Sequence, residues 1–135
     1  MPEQLDTTLR TALAQAYCDA LANGSIKLFS GALPANCAAA DPATTLATGT
    51  LPATAATAAN GVATRAGTWA FTGGAGAGSG TNATVYRLYR SGGACVAQGT
   101  VTITGGGGDM TIDNPNIANG QAGSINTWTR TMQGA

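Results

Sequence analysis

From Ser25 onward the chain is cut into short stretches of alternating character, separated by glycine, asparagine or proline at intervals of about ten residues. Stretches that short bury an apolar face only by pairing into a sheet. Ser25 to Ser30 (Ser-Ile-Lys-Leu-Phe-Ser) reads as a first strand. Thr45 to Leu51 reads as a second, with Pro52 marking its end or an edge. Asn60-Gly61 lies between two Ala/Thr runs and is the strongest hairpin signal, joining a weak strand near 53–58 to a longer one, Val62 to Phe71. Ala83 to Arg90 sets Val85, Arg87 and Tyr89 on one face and Tyr86, Leu88 and Arg90 on the other. Ser91-Gly92-Gly93 then turns it into Ala94 to Ile103. Gly105 to Gly108 reads as a tight hairpin turn before Asp109 to Asp113, and Ser124 to Met132 closes the series. About eight such strands predict a mainly β chain, an antiparallel β-sandwich, over one domain spanning 1–135.

One segment has a different period. Leu5, Leu9, Leu13 and Tyr17 recur every four residues, with Ala12, Ala16, Ala20 and Leu21 beside them, which predicts a helix over about 4–22. Asp6 and Arg10 are expected on its outer side, and Gly24 of Asn23-Gly24 is expected to supply the left-handed residue that ends it. The stripe is leucine-rich in a leucine-poor chain. It is therefore the candidate self-association surface, Leu5, Leu9, Leu13 and Tyr17, with a dimer as the expected state. The competing expectation is that the helix caps one end of the sandwich.

Composition narrows the chemistry. The chain has no histidine, only 9% charged residues, and six acids and six bases scattered along it. A Ser-His-Asp arrangement is excluded and no paired acids stand ready for acid–base work, so the chain is not expected to be an enzyme. Gly73–Gly80 superficially resembles a nucleotide loop, but a strand rather than a helix follows and the Lys-Ser/Thr of a phosphate loop is missing. Asp109 beside Gly105–Gly108 supplies too few oxygens for calcium. Cys18, Cys37 and Cys95 are odd in number and irregular in spacing, which fits neither a disulfide framework nor a zinc site. Three buried thiols in a reducing cytosol are expected, with no metal and no cofactor. Zero net charge argues against nucleic acid. No apolar stretch approaches the ~20 residues of a membrane span, and Met1 to Arg10 lacks the apolar core of a secretory signal. Asn23-Gly24-Ser25 and Asn82-Ala83-Thr84 match the glycosylation tripeptide, which arises readily by chance. Large side chains are few, so Trp69, Tyr86 and Trp128 are the expected core anchors. Ile26, Leu28, Val101, Ile103, Ile112 and Ile125 join them, with Tyr86 and Val85 competing for one inward position.

The order of these segments resembles small virion proteins of tailed bacteriophages, the head decoration or cement proteins. The resemblance is carried by Lys-Leu-Phe-Ser-Gly-Ala-Leu-Pro-Ala-Asn (Lys27 to Asn36), by Thr44 to Thr54, by the Asn60-Gly61 turn, by the hairpin from Ala83 to Thr102, and most specifically by Gly105 to Thr129. It spans nearly the whole chain, which departs from the pattern in the long Gly/Ala loop at 73–80. The resemblance implies a jelly-roll-like sandwich without catalytic residues. It implies a protein made in the bacterial host cytoplasm and displayed in many copies on the capsid surface, with the major capsid protein and itself as partners. Capsid contacts are then expected from the loops near 31–44 and 73–80. A tail or connector protein is the nearest alternative. A carbohydrate-binding module using exposed aromatics is the alternative from another class.

Overall fold

The computed structural model describes residues 3–77 and 82–133. One helix, α1 (Thr7–Leu21), precedes ten strands: β1 (Ser25–Phe29), β2 (Thr45–Thr50), β3 (Ala56–Ala59), β4 (Val62–Arg65), β5 (Ala70–Gly73), β6 (Val85–Tyr89), β7 (Cys95–Ile103), β8 (Met110–Ile112), β9 (Ala122–Ser124) and β10 (Thr127–Thr131). The chain is mainly β with one N-terminal helix. The strands form one curled sheet in the order β3-β4-β10-β8-β7-β6-β1-β2-β5-β9.

The curl follows from the pairing of one segment. Residues 122–131 pair with β5 through β9, and with both β8 and β4 through β10. Only Ile125 and Asn126 separate the two halves. A single stretch of chain therefore supplies one end of the strand order, β9, and an inner strand near the other end, β10, and draws the two regions together. The concave side takes the large residues. Ile26, Leu28, Leu88, Val101, Met110 and Ile112 are buried there with Trp69 and Trp128, whose rings meet at 5.1 Å. Both indole N–H groups find acceptors: Trp69 donates to the Ala55 carbonyl at 2.8 Å and Trp128 to the Tyr86 hydroxyl at 3.1 Å.

The convex side is paved with threonine where it is bare. Thr57, Thr64 and Thr129 lie side by side across β3, β4 and β10, and Thr102, Thr111 and Thr127 across β7, β8 and β10. Thr111 and Thr127 share a hydroxyl–hydroxyl bond of 2.6 Å. β-branched residues with a hydroxyl suit a pleated surface that faces water.

Helix α1 packs across β3 and β4. Asp6 caps it by accepting the Leu9 N–H at 2.7 Å. Its buried face is Arg10, Ala14, Cys18 and Leu21, set on a hairpin of small residues in which Ala56 and Ala63 are buried. Arg10 thus points inward, contrary to its expected outer position. Its guanidinium donates twice to the Met132 carbonyl, at 3.3 and 3.2 Å, tying the helix to the end of β10. The Asn60-Gly61 turn forms as expected, and both residues have positive φ, 51° and 76°. An added Cβ on Gly61 would stand 2.9 Å from the Arg10 guanidinium carbon, so this glycine serves the helix contact as well as the turn.

Several expectations need correction. Asn23, not Gly24, takes the left-handed conformation after the helix (φ 54°). Val62 to Phe71 is two strands, β4 and β5, broken around Gly67 (φ 65°). The Gly105–Gly108 turn is no hairpin: β7 and β8 run parallel, with Val101 opposite Met110, so the sheet is mixed. Parallel neighbours ordinarily need a crossover of about a dozen residues or more, and here 104–109 suffice. Gly105 and Gly107 adopt positive φ, while Gly106 and Gly108 lie so close to Thr102 that a Cβ on either would approach its side chain to within 2.8 or 2.9 Å. Ile103, expected in the core, is 53% exposed at the end of β7. Val85 and Tyr86, expected to compete for one inward position, are both buried, because both faces of β6 are covered.

Trp128 touches Trp69, Tyr17 and Tyr86. Replacing it with alanine is expected to cost about 3–5 kcal/mol in a urea titration. A loss below about 1 kcal/mol would show that the paired indoles are not the centre of the core.

Candidate functional site

The outer face changes character where β1, β6 and β7 meet. Instead of threonine it carries Lys27, Arg87 and Gln98 in one cross-strand row and Tyr89 beside them. These side chains hold the loop 31–44. Arg87 is 2% exposed and makes four bonds, to Gln98 Oε1 (3.1 Å), the Ala39 carbonyl (2.9 Å), Asp41 Oδ1 (2.9 Å) and the Asn36 carbonyl (3.0 Å). Gln98 Nε2 donates to the Pro34 carbonyl and Thr84 Oγ1 to the Gly31 carbonyl. Tyr89 Oη donates to Asp41 Oδ1 at 2.6 Å, while Lys27 pairs with Asp41 Oδ2 at 3.4 Å and sits over the Tyr89 ring.

A disulfide completes the clamp. Cys37 in the loop is bonded to Cys95 at the start of β7, with Cα atoms 5.4 Å apart. This corrects the expectation of three free thiols: only Cys18 is free, buried in α1, and burial raises its pKa. The sequence held no local signal for the pair, because its members stand 58 residues apart. Burial alone would raise the Asp41 pKa. Hydrogen bonds from Tyr89, Arg87 and Lys27 outweigh it and hold the carboxyl below its ordinary 3.8. Burial pushes the Tyr89 phenol up, and the Asp41 carboxylate pushes it further.

The clamped loop presents Leu33, 45% exposed. Besides Ile103, the other large exposed apolar side chains among the described residues are on α1. Leu9 and Leu13 are 47% and 44% exposed and Leu5 is half-buried, while Tyr17, next along the same stripe, turns in to meet Trp128 at 5.5 Å. The predicted stripe is thus not the face that docks the helix. The anchors Trp69, Tyr86 and Trp128 are all buried and drawn into one cluster. Of the loop at 73–80, Gly73 ends β5, Gly74 donates to the Leu46 carbonyl, and 78–80 lie outside the described residues. Among the described residues no three of His, Cys, Asp and Glu stand together as a metal site would need. Comparison with protein-family models, with curated proteins and with solved structures finds no match for this chain.

Two expected outcomes test the clamp. Changing Cys37 and Cys95 together to serine is expected to lower stability by about 4 kcal/mol, the loop-closure effect of a cross-link of this span, as read by denaturant unfolding. For Asp41, the depressed pKa means stability that is present above the ordinary carboxylate range and lost as pH falls through and below 3.8. Asp41→Asn is therefore expected to be less stable than the parent at neutral pH, with the gap closing in acid. A gap that stays constant from about pH 7 to pH 3 would show that Asp41 is not linked to folding.

Proposed function

We propose that this chain is a non-catalytic structural protein of a tailed-bacteriophage virion, a decoration or cement protein that lies across joints between major capsid subunits. The observation that carries the reading is the pairing of exposed apolar side chains with immobile supports. Leu33 rides on a loop held by Arg87, Asp41 and the Cys37–Cys95 bridge, and Leu9 and Leu13 ride on a helix docked through Arg10. Side chains already fixed in place lose little freedom on binding, which favours affinity. A chain of zero net charge with a threonine-paved convex face meets another protein without desolvating many ions. Repetition over a capsid adds the weak contacts of single copies into avidity. In this reading the curled sheet serves as the two layers of a jelly-roll-like sandwich, with Trp69 and Trp128 meeting between them. Leu33 contacts the capsid, and Leu5, Leu9 and Leu13 contact a second copy.

Leu33→Glu and Leu9→Glu separate these contacts. Both positions are exposed, so each variant is expected to keep its stability to within about 0.5 kcal/mol. Leu33→Glu is expected to abolish co-sedimentation with undecorated capsids, and Leu9→Glu to shift the free protein from dimer to monomer. Unimpaired capsid binding by Leu33→Glu removes the loop from the contact. A copy number in purified particles far below that of the major capsid protein favours a tail or connector position.

A further inference from the structure

A cleft of about 290 Å³ opens on the concave side between α1, β6, β7 and β10, and the contacts proposed above do not use it. Tyr17 and Tyr86 line it together with Asp109 and Arg130, and Val96 and Ala97 form an apolar wall. Behind Tyr86, Gly99 stands opposite it in the β6–β7 pairing. A Cβ at Gly99 would stand 2.7 Å from the Tyr86 ring, 2.8 Å from its hydroxyl and 2.8 Å from Asp109 Oδ2. The bare backbone at residue 99 therefore leaves the room that the Tyr86 ring and the Asp109 carboxylate occupy, and it lets a phenol and a carboxylate meet at one point of the cleft lining.

The polar groups in it have bonding capacity left over. Tyr86 Oη accepts the Trp128 indole N–H, so its own proton is free to be donated. Asp109 Oδ2 accepts from the Thr100 N–H and hydroxyl, leaving Oδ1. Tyr17 Oη and the Arg130 guanidinium make no hydrogen bond among the described residues. Burial pushes the pKa of both phenols up, so both remain proton donors at neutral pH.

We infer that this cleft binds a neutral sugar, one hexopyranose ring, either free or at the end of a glycan. One carboxylate and one guanidinium cancel, so an anion or a cation gains from one and is opposed by the other. A ligand bearing several hydroxyls uses both, because each hydroxyl donates and accepts at once. The Tyr17 ring with Val96 and Ala97 offers the apolar surface on which the C–H face of a sugar packs. The volume is near the lower end of small-ligand clefts, about 300 Å³, and suits one ring rather than a chain.

The structure provides its own reporter. The Trp128 indole N–H is bonded to a hydroxyl that lines the cleft, whereas that of Trp69 is bonded to the Ala55 carbonyl. In ¹H–¹⁵N spectra of the whole protein, titration with methyl glycosides of glucose, galactose, mannose and N-acetylglucosamine is expected to move the Trp128 indole signal saturably for at least one sugar. The Trp69 signal is expected to stay still. Arg130→Gln, at an exposed position, is expected to weaken that binding about tenfold, the loss of one charged hydrogen bond, and Gly99→Ala to abolish it by displacing the Tyr86 ring and the Asp109 carboxylate from the lining. The matching free sugar and an oligosaccharide ending in it distinguish a free ligand from a glycan terminus, and binding of either supports the site. No saturable shift with any of the four glycosides overturns the inference. So does a shift with glycine, a zwitterion, in place of the sugars, or binding that survives both substitutions.

Discussion

A guanidinium taken out of water is the interaction on which the outer half of this molecule rests. Arg87 stands on β6 in the middle of the sheet, and leaving it buried without partners would cost several kcal/mol. The loop 31–44 supplies the acceptors, two carbonyls and one carboxylate oxygen, and Gln98 on the neighbouring strand supplies the last. The loop is thus wrapped around the cation, and the positions of Pro34, Cys37 and Asp41 follow from that. The contrast with the rest of the convex face is physical. Where no loop covers the sheet its row is threonine; where one does, the row is Lys27, Arg87 and Gln98.

The inner half depends on smallness instead. Ala14 and Cys18 of α1 approach a hairpin in which Ala56 and Ala63 are buried, so helix and sheet come close without interlocking large side chains. Alanines contribute little burial energy each. The weight of the core falls on two tryptophans, each spanning a gap that several smaller residues would otherwise have to fill, and each with its indole N–H satisfied.

What the sequence disclosed was local. The 3.6-residue recurrence at Leu5 to Tyr17 placed the helix, and Asn60-Gly61 placed its hairpin, because both signals are carried by neighbours in the chain. Which face of the helix turns inward was not legible from leucine spacing. Arg10 breaks the apolar rule there by donating to Met132, which stands 122 residues away. The same applies to Ile103, whose alternation is that of a core strand but which stands at an uncovered strand end. The Cys37–Cys95 bridge, the Arg87 clamp and the parallel β7–β8 pair are all products of the tertiary arrangement, and no short window contains them. The Gly105–Gly108 run signals a turn, but glycine alone does not say whether the next strand returns antiparallel, as the expected hairpin would, or runs parallel, as β8 does. The close approach of Tyr86 and Asp109 to the bare backbone of Gly99 was invisible for the same reason: a missing side chain matters only once its neighbours are known.

The dual pairing of residues 122–131 carries a consequence for how the protein is made. β5 and β8 have no common border until that segment lies between them. While it remains inside the ribosome, the strands already released can form hairpins but not the closed curl, and Trp69 has no Trp128 to meet. Long-range closure of this kind is slow, and the open sheet exposes unpaired strand edges meanwhile. The threonine rows of the convex face, wet where no loop covers them, present little apolar surface to neighbouring chains while the sheet waits to close.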